Sequence, residues 1–191
     1  MLFRFPAYAR PPDVIIVSGD DIMKKKHFLK EVVALGATLF VLASLARQGN
    51  RLIDTAFNRV AFPANSSIFE SFKAYFTAVT ALVLIEYVVA FEYPNNYLLS
   101  RVVSSLVMMA ITAFIFALYY LIGYRTFTAV FWHAVCLVSI IGGQYVAYRI
   151  QRRKELRFSL HLGLAQYLVT ASLIIVFTQL SPSGFLFTWF R

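Results

Sequence analysis

Charged residues are scarce in this sequence: they make up only 14% of its 191 residues, while 60% are hydrophobic. Acidic side chains are scarcer than basic ones: the sequence has 9 acidic and 18 basic residues. Soluble domains are typically about half apolar and roughly a quarter charged. Together with a mean hydropathy of +0.69, this composition excludes an ordinary soluble domain and indicates a membrane protein.

Residues suited to redox and metal chemistry are also few. The chain has one cysteine, Cys136, so no intrachain disulfide can form. Its three histidines, His27, His133 and His161, are scattered rather than placed at ligand spacing. The HExxH, GxSxG, Walker and CxxC patterns do not occur in the sequence. We therefore expect no metal site and no cofactor.

The alternation of apolar and polar residues that marks outer-membrane β-strands is missing as well. The apolar residues instead form runs of about 20, each long enough to cross a hydrocarbon core as a helix. The sequence thus predicts an all-α integral membrane bundle of about five transmembrane helices. The predicted spans cover residues 28–46, 71–91, 100–122, 127–148 and 160–180. No internal repeat is evident, so nothing supports an inverted-repeat transporter.

Short connections between the spans favour a single transmembrane domain over residues 24–191, after a flexible tail over residues 1–23. Met23 precedes three lysines and an apolar helix, as at the start of many membrane proteins, so an untranslated tail is the alternative. A cleaved signal peptide ending near Ala46 is a further alternative. Cleavage there would leave four spans, and each later loop would stay on the same side of the membrane.

The basic residues predict an orientation. With the N-terminus in the cytoplasm, twelve of the eighteen basic residues fall on the cytoplasmic side, Arg101 among them, as the positive-inside rule requires. The group between Arg149 and Arg157 is interpreted as an orientation signal, with binding of anionic lipid as the alternative. The net charge of +9 then needs no nucleic-acid partner. Membrane lipids are the expected partners, and the sequence leaves protein partners and homo-oligomers open.

The stretch FPANSSIFESFKAYF, residues 62–76, places polar residues directly before an apolar run. Ser67 and Glu70 fit a capping box, in which the serine hydroxyl accepts the Glu70 N–H. Asn65 lies just upstream and joins Ser67 as a candidate helix cap. Lys73 follows Glu70 by three residues, close enough for an ion pair on one helix face. This stretch therefore predicts a helix start, with the Glu70 and Lys73 pair as a candidate site.

The second and fourth predicted spans carry polar residues at membrane depth, where ionisable side chains are costly and are functional candidates. At about 100° per residue, Glu86 lies about 140° from Lys73 on the same helix, so the two do not pair. His133 and Gln144 share one face of the fourth span and form a polar stripe. We expect Glu86 to point into the bundle towards that span, either protonated or with His133 or another basic group as its partner.

In the order of several short motifs, the sequence resembles a family of small bacterial multipass membrane proteins. That family is classed as a domain of unknown function. Its motif reads Pro-x-Asn-x-Ser-x-x-Glu-x-x-Lys, with an Ile-Glu-Tyr later in the same helix. The matching residues are Asn65, Ser67, Glu70, Lys73, Glu86 and Tyr87. Ser66, Phe69 and Ser71 replace a glutamate, a tryptophan and a histidine of the family, so its Glu–His pair is absent here. The resemblance implies a five-span protein of the bacterial inner membrane.

Three functional classes follow from these residues. The first is a protein that binds or transports a lipid or small molecule in a polar intramembrane pocket. Its candidate lining residues are Glu70, Lys73, Glu86, His133 and Gln144. The second is an accessory or structural membrane protein whose polar residues only fix helix packing. An intramembrane enzyme with Glu70 or Glu86 as acid or base is the third, and no catalytic residue is identified.

Overall fold

The computed structural model describes residues 34–46, 56–63, 67–89, 96–123, 128–154, 156–180 and 185–187. Every regular element within these ranges is a helix. The α-helices are α1 (Ala34–Ala46), α2 (Ala56–Ala61), α3 (Ile68–Val89), α4 (Tyr97–Leu121), α5 (Ala129–Gln151) and α6 (Ser159–Leu180), followed by a 3-10 turn at Phe185–Phe187. The expected all-α fold is confirmed.

Four of these helices, α3 to α6, are long and apolar enough to cross a membrane. They correspond to the second to fifth predicted spans. The first predicted span, residues 28–46, is described only from Ala34, where α1 is a shorter apolar helix. Helix α5 continues three residues past its predicted span, to Gln151, because hydropathy marks the membrane boundary and not the end of the helix. The tail over residues 1–23 lies outside the described residues.

Helix α4 packs against α3, α5 and α6. Two glycines allow its close approach to the neighbouring helices. A Cβ added at Gly163 of α6 would lie 2.7 Å from the Leu99 backbone nitrogen, and one added at Gly143 of α5 would lie 2.6 Å from the Met108 side chain. Lipid tails are as apolar as the helix surfaces, so the hydrophobic effect does not drive helices together within a membrane. Small residues at such contacts let the helix backbones pack closely instead. Helix α4 is therefore the element that organises the bundle.

The middle of the bundle holds a chain of three buried hydroxyl groups. The Thr112 hydroxyl of α4 lies 3.0 Å from the Tyr75 hydroxyl of α3 and 2.8 Å from the Ser139 hydroxyl of α5. Tyr75 also belongs to the buried apolar core, which includes Trp132 and Phe116. Interhelical hydrogen bonds of this kind fix the register of three helices relative to one another.

Short segments cover the end of the bundle at which α3 begins. The Thr77 hydroxyl donates to the carbonyl of Ala61 at the end of α2. The Phe69 ring lies 6.0 Å from the Phe177 ring of α6 and 4.9 Å from the Phe187 ring of the 3-10 turn. Helices α3 and α6 thus run in opposite directions, with α2 and the 3-10 turn packed at the same end.

Candidate functional site

Among the residues that the structure describes, buried and half-buried charged side chains gather in two places, one near each end of α3. The Lys73 cluster consists of Ser67, Glu70 and Lys73 at the start of the helix. The Arg101 cluster consists of Glu86, Tyr97, Arg101 and Gln144 near its end. Glu70 and Glu86 are sixteen residues apart, or about 24 Å along the helix axis. The two clusters are therefore separate sites.

The Lys73 cluster is built within one turn of α3. Lys73 Nζ lies 2.7 Å from Oε2 of Glu70, and the two side chains are only 1% and 10% exposed. The same ammonium group donates to the backbone carbonyl of Arg59 in α2 at 2.8 Å and lies 5.9 Å from the centre of the Phe69 ring. The ion pair expected from the sequence is thus present, and it is buried rather than exposed.

The start of α3 also follows the sequence pattern. The backbone N–H of Glu70 donates to Oγ of Ser67 at 3.3 Å, which is the serine half of the capping box. The Glu70 carboxylate, the other half, is paired with Lys73. One residue along, Ser71 accepts a hydrogen bond from the indole N–H of Trp132 at 3.0 Å, joining α3 to α5. Asn65, the second candidate cap, lies outside the described residues.

The Arg101 cluster joins α3 and α4 through a bidentate ion pair. Arg101 Nη2 donates to Oε1 of Glu86 at 2.5 Å, and Arg101 Nε donates to Oε2 at 3.1 Å. The Tyr97 hydroxyl donates to the same carboxylate at 2.6 Å. The Arg101 side chain is 4% exposed and that of Glu86 is 19% exposed. Glu86 therefore points into the bundle, and its partner is Arg101 of the third span rather than His133.

Gln144 brings α5 into this cluster. Its Oε1 accepts from Arg101 Nη1 at 3.1 Å. Because a guanidinium can only donate hydrogen bonds, the amide oxygen of Gln144 must face Arg101. The NH₂ group of the same amide therefore points away from Arg101. Within the described part of the chain Nε2 of Gln144 has no hydrogen-bond partner, although the residue is only 2% exposed. A buried donor without an acceptor is costly, so the amide is available to a bound acceptor.

A second buried polar atom lies beside this amide. Ser104 follows Arg101 by one turn of α4, and a Cβ added at Gly143, next to Gln144, would lie 3.0 Å from the Ser104 carbonyl oxygen. The Ser104 side chain is fully buried, and its hydroxyl has no partner among the described residues. The next residue, Ser105, is equally buried, but its hydroxyl donates to the carbonyl of Val102 at 2.8 Å.

His133 belongs to neither cluster. Its side chain is exposed, and its ring lies 4.9 Å from the Trp132 ring and 5.9 Å from the Phe40 ring of α1. Gln144 lies eleven residues further along α5, about 16 Å away on the helix axis. The structure thus does not bring the five candidate pocket residues together. Glu70 pairs with Lys73, Glu86 and Gln144 meet at Arg101, and His133 lies at the helix surface.

Sequence reasoning missed Arg101 and Tyr97 as site residues. The positive-inside count includes Arg101 with the cytoplasmic charges because it lies near the start of a predicted span. The signal that could have identified it is its position one turn inside an apolar helix, where a charge needs a partner. The pairing itself depends on how α3 and α4 pack, and no spacing within one helix reveals it.

The described residues contain no group of three or more His, Cys, Asp or Glu side chains placed to hold a metal ion. Comparison of the chain with protein-family models finds no match, and comparisons with curated proteins and with solved structures find no significant similarity. The resemblance noted for Pro63 to Lys73 therefore stays a prediction.

Proposed function

We propose that this protein binds a lipid or small amphipathic molecule at the Arg101 cluster. The observation that supports this most directly is the buried NH₂ group of Gln144, whose orientation is fixed by Arg101 and which has no acceptor within the described residues. The unpartnered hydroxyl of Ser104 lies on the same side of α4 as Arg101. A ligand with a hydrogen-bond acceptor would satisfy these groups.

The charge of the cluster argues for a neutral acceptor rather than a free anion. The Glu86 carboxylate already neutralises the Arg101 guanidinium through two hydrogen bonds. A second negative charge would be buried without a partner of its own, at a large desolvation cost. An ester carbonyl or an alcohol oxygen has the required acceptor and no charge.

The surroundings favour a ligand with an apolar part. Glu86 is the least buried charged group of the cluster, and its neighbours Leu84, Ile85 and Tyr87 are 62%, 47% and 70% exposed. In a membrane this apolar surface of α3 contacts acyl chains. A lipid or lipid-like molecule lying there has its polar end near the cluster and its chains along α3.

The proposed setting is the bacterial inner membrane, with the N-terminus in the cytoplasm. The excess of basic residues on one side of the predicted topology supports this orientation. In that orientation the Arg101 cluster lies towards the cytoplasmic end of the bundle and the Lys73 cluster towards the opposite end.

A structural role is the second candidate, and one observation favours it. Glu86, Tyr97, Arg101 and Gln144 bond to one another across three helices, as residues that only fix packing would do. On that account the unpartnered atoms of Gln144 and Ser104 have no ligand. Removing the Ser104 hydroxyl would then leave the free energy of unfolding unchanged or raise it, because the variant no longer buries a polar group without a hydrogen-bond partner.

The two roles are separated by measuring co-purified lipids and small molecules by mass spectrometry after extraction in a mild detergent. Ser104→Ala removes one unpartnered group without touching Arg101, and Gln144→Met removes the unpartnered NH₂ group together with the acceptor for Arg101, without adding a charge. Ser105→Ala is the matched control, since its hydroxyl is equally buried and already bonded. Both test variants should lose a molecule that wild type and the control retain. An unchanged set of bound molecules in both would support the structural role.

A further inference from the structure

The turn between α5 and α6 carries a dense group of positive side chains. The basic turn is defined as Arg149, Arg152, Arg153, Lys154 and Arg157, all of which are exposed. The one acidic residue in this stretch of sequence is Glu155, which lies outside the described residues. The turn follows a span that ends at Gln151 and precedes one that begins at Ser159. Its charges therefore lie at the boundary of the hydrocarbon core, at the depth of lipid phosphates.

The side chain of Asn96 bonds to the backbone of this turn at four described residues. Asn96 Nδ2 lies 3.3, 3.5 and 3.2 Å from the carbonyl oxygens of Ile150, Arg153 and Lys154. Its Oδ1 accepts from the backbone N–H of Leu156 at 2.9 Å. Asn96 itself is only 4% exposed and has a φ of 57°, a left-handed conformation that asparagine tolerates well. The basic side chains thus project from a fixed backbone rather than from a loose loop.

Aromatic and apolar side chains border the positive charges. The Arg152 guanidinium lies 4.5 Å from the centre of the Tyr148 ring, and that of Arg157 lies 5.7 Å from the Phe158 ring. Phe158 and Leu160 are 59% and 64% exposed just beyond the turn. A cation at the edge of an exposed apolar surface matches a lipid, which has a charged headgroup next to acyl chains.

We infer that the basic turn is a binding site for the phosphate groups of anionic phospholipids. Arginine recognises phosphate through two parallel hydrogen bonds, and the turn offers four arginines. Each basic residue close to an anionic bilayer contributes about fivefold to the affinity. This site is separate from the Gln144 and Ser104 groups, so either proposal can fail while the other stands.

The test uses the full chain in nanodiscs made from equal parts of phosphatidylcholine and phosphatidylglycerol. Native mass spectrometry then counts the lipids that stay bound after the nanodisc is removed. Wild type should retain phosphatidylglycerol in preference to phosphatidylcholine. Arg152→Gln combined with Arg153→Gln should lower this preference at least fivefold, whereas Arg152→Lys combined with Arg153→Lys should largely keep it. The melting midpoint of each variant shows whether it is folded.

Two comparisons make the test specific. Arg59→Gln removes an exposed charge at the opposite end of the bundle and should leave the preference unchanged. Asn96→Gly keeps every charge and the left-handed backbone but releases the turn, and should lower the preference about two- to threefold because ordering the turn then opposes binding. An equal loss in Arg59→Gln, or no loss in the Arg152 and Arg153 glutamine variant, would overturn the inference. Displacement of the bound lipid by soluble glycerophosphate would likewise reject a membrane lipid as the natural occupant.

Discussion

The two ends of α3 each bury a carboxylate beside a basic side chain, but they do so in different ways. At the start of the helix, Glu70 and Lys73 come from the same turn, and Lys73 also donates to a backbone carbonyl of the short helix α2. Near the other end, Glu86 pairs with Arg101 of α4, which also holds Gln144 of α5. The first pair lies within one helix, whereas the second joins α3 to α4 and is bonded in turn to α5.

This difference decides what each pair contributes. The Glu70 and Lys73 side chains meet as soon as α3 is helical, so their pairing carries little information about the rest of the fold. Glu86 and Arg101 meet only when α3 and α4 are packed at the correct depth. Because an unpaired charge in a membrane interior is costly, packings that separate them are excluded. The Arg101 cluster therefore specifies the arrangement of the bundle, while the Lys73 cluster holds α2 against α3.

The largest effect should come from Glu86→Gln, which leaves the Arg101 guanidinium buried without a counter-charge. Breaking a buried ion pair by removing one partner costs about 3 kcal/mol or more. Arginine does not lose its proton, so it has no way to become neutral. We expect the free energy of unfolding, measured by denaturant titration in mixed micelles, to fall by about 3 kcal/mol.

The reverse substitution sharpens this prediction. Arg101→Met leaves Glu86, whose side chain is 19% exposed and so is less completely desolvated than the 4% exposed Arg101, and the loss should be smaller than for Glu86→Gln. Combining Glu86→Gln with Arg101→Met removes both charges and should restore most of the stability. If the two single losses simply add in the double variant, the pair does not couple α3 to α4 and the comparison between the two ends fails.

The same contrast explains what could be read from the sequence. The helix start at Ser67 and the Glu70 and Lys73 pair depend on spacings of three residues, which the sequence displays directly. The contact between Glu86 and Arg101 depends on the rotation of two helices and on the turn between them, and hydropathy contains neither. For this reason hydropathy assigns Arg101 to the loop charges, and helical angles assign His133 to a pocket that it does not reach.

The fold itself was more accessible than the site. Long apolar runs predict spanning helices because a backbone in lipid has to satisfy its own hydrogen bonds. Asn96 shows the limit of such reasoning. It looks like one polar residue of a turn, yet its side chain bonds to the backbone at four positions more than fifty residues away. Nothing in the local pattern around Asn96 distinguishes it from Asn95.

At the other end, Lys73→Met should have a moderate and local effect. It removes the ammonium group that bonds Glu70 and the Arg59 carbonyl, but Glu70 remains in the first turn of α3, where the helix dipole favours a negative charge. We expect a loss of about 1 to 2 kcal/mol in the free energy of unfolding. Hydrogen exchange should become faster in α2, residues 56–61, and stay unchanged around Arg101.

Thr77→Val is the matched control for this change, because it removes the hydrogen bond to the Ala61 carbonyl without altering any charge. It too should speed exchange in α2, with a smaller loss of stability than Lys73→Met. Faster exchange in α4 near Arg101 after Lys73→Met would contradict the view that the two clusters act separately.

The smallest effect should come from the helix caps, which also give the cleanest test of burial. Ser67 accepts the Glu70 N–H and Thr128 accepts the Phe131 N–H, both at 3.3 Å, but Ser67 is 2% exposed and Thr128 is exposed. Water replaces a lost cap at Thr128 and cannot easily do so at Ser67. Ser67→Ala should therefore cost about 1 kcal/mol of unfolding free energy, and Thr128→Ala about half of that or less. Equal losses would show that the start of α3 is open to water, in which case the Glu70 and Lys73 pair beside it would be screened and the two ends of the helix would differ less than their burial indicates.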